Sequence, residues 1–256
     1  MAEILDGLEA LRSVMTLREI GSLIERTAWW VAPETFKLLP LWFPEYRRQG
    51  LFYKENWSQP QMNKNRETGR SVHKSEGNVH ANAALTLALG LKSKDRPNWS
   101  CCHIWGVDDP SFQLSNAIVK DHRFFSCVGN MVLLPTPLKA FTDTMPEVKA
   151  MLRICARNLY GWPRDPADLV EDLVEHDNFL AMGTALDNWR DWEPYPQSWP
   201  KTPHEKLPLG VVALSPTIQA SAQKRLRDIR YDLEHAGSFY PRDQVRAALA
   251  HWRIDL

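Results

Sequence analysis

The sequence predicts an α+β fold, mostly helical, with a small strand–strand–helix (ββα) element at its centre. Three observations carry this reading. Stretches near both ends keep apolar residues at helical spacing, and two short apolar runs near the middle suit strands. A Thr-Pro pair directly after the second run suits a helix start. The expected organisation is a helical N-terminal region over 1–97, a ββα core over 98–165 and a helical C-terminal region over 166–256, packed as one unit.

Residues 3–31 read as two amphipathic helices. The second begins at Thr16, with Glu19 at capping-box spacing, and its apolar positions run from Leu17 through Ile20, Leu23, Ile24 and Ala28 to Val31 before Pro33. From Pro33 to Trp57 aromatics and prolines leave no regular period, so an irregular or short-helical segment is expected. Residues 59–74 are polar and cationic and read as a mobile loop. A helix over Val79–Leu89 should stop at Gly90, and one over Pro146–Tyr160 should open at Pro146 and close at Gly161. Asp165–Asp177 is an acidic helical run with a solvated face, and 197–208 is Pro-rich linker. A strand over 209–214 and helices over 215–234 and 241–252 complete the chain.

The centre holds two runs, Ser100-Cys-Cys-His-Ile-Trp105 and Phe124-Phe-Ser-Cys-Val-Gly-Asn-Met-Val-Leu-Leu-Pro135. The first ends a strand-like segment on His103, and the second sets Asn130 just before another. Thr136 can cap the helix that follows, and Pro137 suits its first turn. The order is strand with His, loop, Asn, strand, helix. It resembles the His-Asn-His nuclease superfamily, the ββα-metal fold. The matching residues are His103-Ile104, Gly129-Asn130-Met131-Val132-Leu133-Leu134 and Leu138-Lys139.

The resemblance implies a nuclease that hydrolyses nucleic-acid phosphodiesters. His103 would be the general base, its imidazole neutral with one nitrogen free to accept a proton, and Asn130 would orient it. A divalent cation, Mg²⁺ or Zn²⁺, would stabilise the developing charge. The family draws metal ligands from the residue before the base and from the helix start, and this chain has Cys102 and Lys139 there. A thiolate suits zinc rather than magnesium, and an ammonium repels a cation at contact distance. Asp143, one turn after Lys139, could supply a carboxylate, as could Asp108, Asp109 or Asp121 from the loop. Alternatively Lys139 binds phosphate directly, or catalysis is lost and the scaffold serves as a nucleic-acid-binding or protein-interaction module.

Ordinary readings stand beside these. A lone imidazole in an apolar run is commonly a hydrogen-bonded core residue, and Gly-Asn between strands is common hairpin chemistry. Cys101 and Cys102 are adjacent, so a strand points them to opposite faces, which disfavours a shared zinc. A Cys127–His103 pair in the manner of thiol enzymes is a further alternative.

Formal charge is balanced, 31 basic against 31 acidic side chains, so any nucleic-acid partner, DNA ahead of RNA, must meet a local patch. The candidate contacts are Lys64, Arg66, Arg70 and Lys74 in the first half and Lys224, Arg225 and Arg227 in the second, with Tyr53 and Trp57 as candidate base-stacking groups. A homo-oligomer or a partner protein is also compatible. No apolar run approaches the length of a membrane span, and no apolar leader with a cleavage site opens the chain. The four cysteines are therefore expected to be thiols in a reducing cytoplasm.

Overall fold

The computed structural model describes residues 6–53, 57–107, 115–162 and 208–256. The acidic run over 165–177, the linker over 197–207, and Asp108 and Asp109 lie outside them.

Helix α1 (Gly7–Arg12) starts at Asp6, whose carboxylate accepts from the backbone of Leu8 and Glu9. Helix α2 (Leu17–Thr27) forms the expected capping box: the Thr16 hydroxyl accepts from the Glu19 amide at 3.2 Å, and the Glu19 carboxylate accepts from the Thr16 amide at 2.7 Å. Its buried face carries Ile20, Gly21 and Ile24. The helix ends earlier than the apolar periodicity suggests. Val31 belongs instead to strand β1 (Trp30–Val31), because the aromatic and β-branched run after Ala28 finds backbone partners. Trp29 exchanges two hydrogen bonds with Leu133, and the Trp30 amide donates to the Gly210 carbonyl. Pro33 then opens helix α3 (Pro33–Leu38), at the position where its missing N–H costs nothing.

The stretch expected to be a mobile loop is a β-ribbon. Strands β2 (Met62–Lys64) and β3 (Ser71–His73) pair antiparallel, and all six residues are exposed. With both faces in water the strands need no apolar alternation, so their sequence carries no strand signal. The turn supplies the order: Asn65 accepts from the backbone of Glu67 and Thr68, and Gly69 takes φ +66°. At its base the ribbon is tied to the body by bridges from Leu51 to Ser75 and from Tyr53 to Pro60.

Helix α4 (Val79–Ala88) is capped by the buried Glu76, whose carboxylate accepts from the amides of Val79 and His80. It stops at Gly90, φ +69°. Strand β4 (Trp99–His103) pairs antiparallel with β5 (Met131–Pro135), in the register Trp99 with Pro135 through His103 with Met131. Short helix α5 (Ser115–Val119) lies between them in sequence, and α6 (Lys139–Thr144) follows β5 after a single 3₁₀ turn, Thr136–Leu138. Helix α7 (Pro146–Tyr160) ends at Gly161 in the left-handed region, as its sequence signals require. Beyond residue 207 come β6 (Val211–Val212), parallel to β1, and helices α8 (Pro216–His235) and α9 (Arg242–His251). Strand β6 is shorter than the 209–214 run because Gly210, at φ +79°, passes the Ala28 carbonyl so closely that a Cβ there would lie 2.1 Å from its oxygen.

The result is a mostly helical α+β fold with small sheets. One apolar cluster takes Ile20 and Ile24 from α2, Ala84 and Leu85 from α4, the inner faces of β4 and β5, Val148 to Leu159 from α7, and Ala222 and Ala248 from the C-terminal helices. The ββα hairpin sits at its centre. A smaller cluster, Trp57, Ile229, Tyr240, Val245 and Leu249, joins the C-terminal helices to the foot of the ribbon. Among the described residues no helix is long and apolar enough to cross a membrane.

Candidate functional site

Strand β4 delivers His103 to its C-terminal end, where the Ile104 amide bonds to the Asn130 carbonyl and closes the hairpin ladder. Asn130 is fully buried. Its side-chain oxygen accepts from the Trp105 amide at 2.7 Å, and its nitrogen donates to the carbonyls of Trp105 and Phe124 at 3.4 and 3.5 Å. These bonds brace the turn after β4. The amide thus holds the turn that follows His103 and does not bond to the ring.

The ring is held by another group. His103 Nε2 lies 2.9 Å from the Phe125 carbonyl, and the ring stacks on Phe125 with centroids 5.7 Å apart. A carbonyl can only accept, so Nε2 carries the proton and the lone pair of the neutral ring is on Nδ1. His103 is 9% exposed, and burial pulls its pKa down to about 4; the Phe125 bond opposes this, while Lys149 and Arg48 add to it. The imidazole is therefore neutral at physiological pH.

This burial is linked to stability. An unfolded imidazole takes up its proton near pH 6.5, whereas the folded one waits until about 4. The contribution is complete above pH 6.5 and is lost as pH falls through that window, by about 2 kcal/mol between about pH 7.5 and pH 5. Burial lowers the pKa of His122 as well, with the same sign. In denaturant unfolding at the two pH values, His103→Gln should lose about 2 kcal/mol less than the native chain on acidification. An equal loss in both proteins would contradict a buried neutral ring.

Next to His103, Cys102 points to the opposite face, toward α6. Its thiol lies 3.8 Å from the Ser100 carbonyl, and burial pushes its pKa up to about 11, against the opposing influence of Thr142 and Lys139. Lys139 is ion-paired with Asp143 across one helical turn, both partly exposed. From α7, the buried Lys149 donates to the His103 carbonyl at 2.7 Å, beside Gly106, where a Cβ would lie 3.0 Å from its Nζ. Arg153, one turn on, stacks over Trp105 at 4.1 Å.

These residues do not fit a divalent ion. The Cys102 thiol is buried in packing against α6, and Asp143 faces an ammonium that would repel the metal. Asp121, a loop carboxylate that could have served instead, is bound bidentately by Arg123, Nε to Oδ1 and Nη2 to Oδ2. Among the described residues no three His, Cys, Asp or Glu side chains are grouped to hold a metal. Cys102 and Asp143 are thus placed in packing and in an ion pair. The thiol-nucleophile option also loses support, since burial pushes Cys127 up to about 12.

The basic residues divide sharply. Lys64, Arg66 and Arg70 are exposed on the ribbon, while Lys74 lies over the Phe52 ring at 4.6 Å. On α8, Lys224 pairs with Asp228 and Arg227 is exposed, but Arg225 points inward. It is ion-paired with the buried Glu45, donates to the Trp42 carbonyl at 2.7 Å and covers Phe43 at 4.6 Å, so it belongs to the interior rather than to a nucleic-acid contact. Trp57 is 3% exposed and stacks on Tyr53, which makes this pair packing rather than a base platform.

Sequence reasoning misses Lys149 and Arg153, because cations beside an apolar stripe normally reach water. The signal available was their helical spacing from Met145 and Ala156. No family model, no curated protein and no solved structure matches this chain.

Proposed function

We propose that the chain is a nucleic-acid-binding protein built on an HNH-like ββα scaffold, that its basic β-ribbon makes the contact, and that it does not cleave the strand. The ribbon carries this reading. Lys64, Arg66, Arg70 and His73 stand exposed on it against a single acid, Glu67, in a chain whose formal charge is balanced overall. Such a patch meets phosphate by charge and counterion release. The His-Asn pair serves the fold: Asn130 braces the turn after β4, and the buried His103 ring is held by the Phe125 carbonyl.

A second reading, phosphodiester hydrolysis with His103 as general base, rests on one observation. The neutral ring keeps its lone pair on Nδ1, the state a base needs. Against it stand a pKa of about 4, which makes a weak base, and a donor set at Cys102, Lys139 and Asp143 that does not suit the metal.

One paired assay separates them. Plasmid nicking is followed with Mg²⁺, Mn²⁺ and Zn²⁺ in parallel, and duplex binding is measured by anisotropy over a range of salt. The proposal expects binding that weakens steeply with salt and no nicking above buffer. Metal-dependent nicking that disappears in His103→Ala would overturn it in favour of the nuclease, and absence of both nicking and salt-sensitive binding would overturn both readings.

A further inference from the structure

We infer that one face of the ribbon reads base edges in the major groove of duplex DNA. This rests on the binding proposed above and names its substrate. The register pairs Met62 with His73, Asn63 with Val72 and Lys64 with Ser71. It continues at both ends, where the Lys74 amide bonds to the Gln61 carbonyl and the Asn65 amide to the Arg70 carbonyl. Paired residues share a face and successive residues alternate, so Asn63, Val72 and Arg70 lie together, while Met62, Lys64, Ser71 and His73 lie on the other side.

The two faces differ in chemistry. Asn63 offers an amide donor and acceptor, the pair that matches adenine. Arg70 offers the fork that matches guanine, and Val72, 51% exposed, offers methyl groups of the kind that meet thymine. Asn65 is not available for this, because its side chain is used inside the turn. The inner end of the same face is fixed to the body through Lys74 over Phe52, so these side chains stand on an anchored support. The opposite face and the tip hold Lys64, His73 and Arg66, suited to flanking phosphates.

Size favours the same partner. Two strands about 4.8 Å apart, with their side chains, fit a B-form major groove about 12 Å wide. The deep, narrow major groove of an RNA duplex does not admit them. An exposed valine between an amide and a guanidinium is also poorly suited to a purely phosphate-binding surface, where each position would gain from a cation.

The test uses the full chain. Duplexes with a randomised central segment are selected for binding, and the enriched sequences are compared for native protein and Asn63→Ala, a substitution at an exposed position outside the core. The inference predicts a preferred site at least about tenfold tighter than bulk duplex, and a loss of preference at one or two positions in Asn63→Ala with the salt slope unchanged. Salt-sensitive binding without any preferred sequence, or equal competition by duplex RNA, would overturn the base-reading inference and leave the proposed function standing. Absence of salt-sensitive binding to any duplex would overturn both.

Discussion

Replacing Lys64 and Arg66 together with alanine is expected to weaken duplex binding about fiftyfold near 0.1 M salt and to lower the slope of log affinity against log salt by about 2. Each phosphate left without its cation takes about 0.9 from that slope, so the slope distinguishes missing phosphate partners from a general defect in the protein. Both residues are exposed, and neither belongs to either apolar cluster, so the variant should unfold at the native denaturant concentration. The same pair of substitutions on α8, Lys224→Ala with Arg227→Ala, should change the slope by much less. Lys224 already has a carboxylate partner in Asp228. Equal weakening by the ribbon and the α8 substitutions would show that the protein presents a diffuse charged surface.

Arg225→Ala should cost about 3–5 kcal/mol of stability and lower the melting temperature by roughly 10 °C, while binding per folded molecule stays unchanged. Glu45 is 4% exposed, and its carboxylate faces the Arg225 guanidinium with the Tyr240 hydroxyl at 3.4 Å. Removing the arginine leaves that carboxylate in the interior without its cation, which is far more damaging than removing both charges. The variant Glu45→Leu with Arg225→Met should therefore recover most of the stability. Failure of the double variant to recover would assign the effect instead to the guanidinium's hydrogen bond to Trp42 and its packing over Phe43.

Much of the fold is legible in the chain, and the reasons are local. Thr16 with Glu19 and Ser215 before Pro216 mark helix starts by satisfying orphan backbone donors, Pro146 opens its helix where no N–H is needed, and Gly161 closes it in the left-handed region; these signals operate wherever the helix packs. Strands β4 and β5 are legible because their apolar runs are short and lie between turn residues. Strand β1 is not, because Val31 continues the helical spacing of α2, and only the distant Gly210 and the parallel register with Val211 and Val212 claim the backbone of Trp30–Val31. The ribbon is invisible for the opposite reason: exposed strands have no burial pattern to leave in the sequence.

At the site, spacing brings His103 to the end of β4 and Asn130 to the turn before β5, but it cannot give their partners. The carbonyl that accepts the imidazole's hydrogen bond belongs to Phe125, and any residue could supply it. Likewise Arg225 lies in a basic run on α8 that reads as surface, and only the packing of Glu45 from the preceding half of the chain turns it inward. Side-chain pairing across long sequence separation is where reading from residues stops.

Crosslinking locates the bound nucleic acid on the protein and so decides between the ribbon and the hairpin. A photo-crosslinking residue is placed at Thr68, on the ribbon turn, or at Ala140, exposed on α6 beside the His-Asn hairpin, and each protein is irradiated with bound duplex. Crosslinks from position 68 with only background from position 140 are the predicted result. Strong crosslinking from position 140 with little from 68 would place the strand at the ββα element and contradict the ribbon as the binding surface.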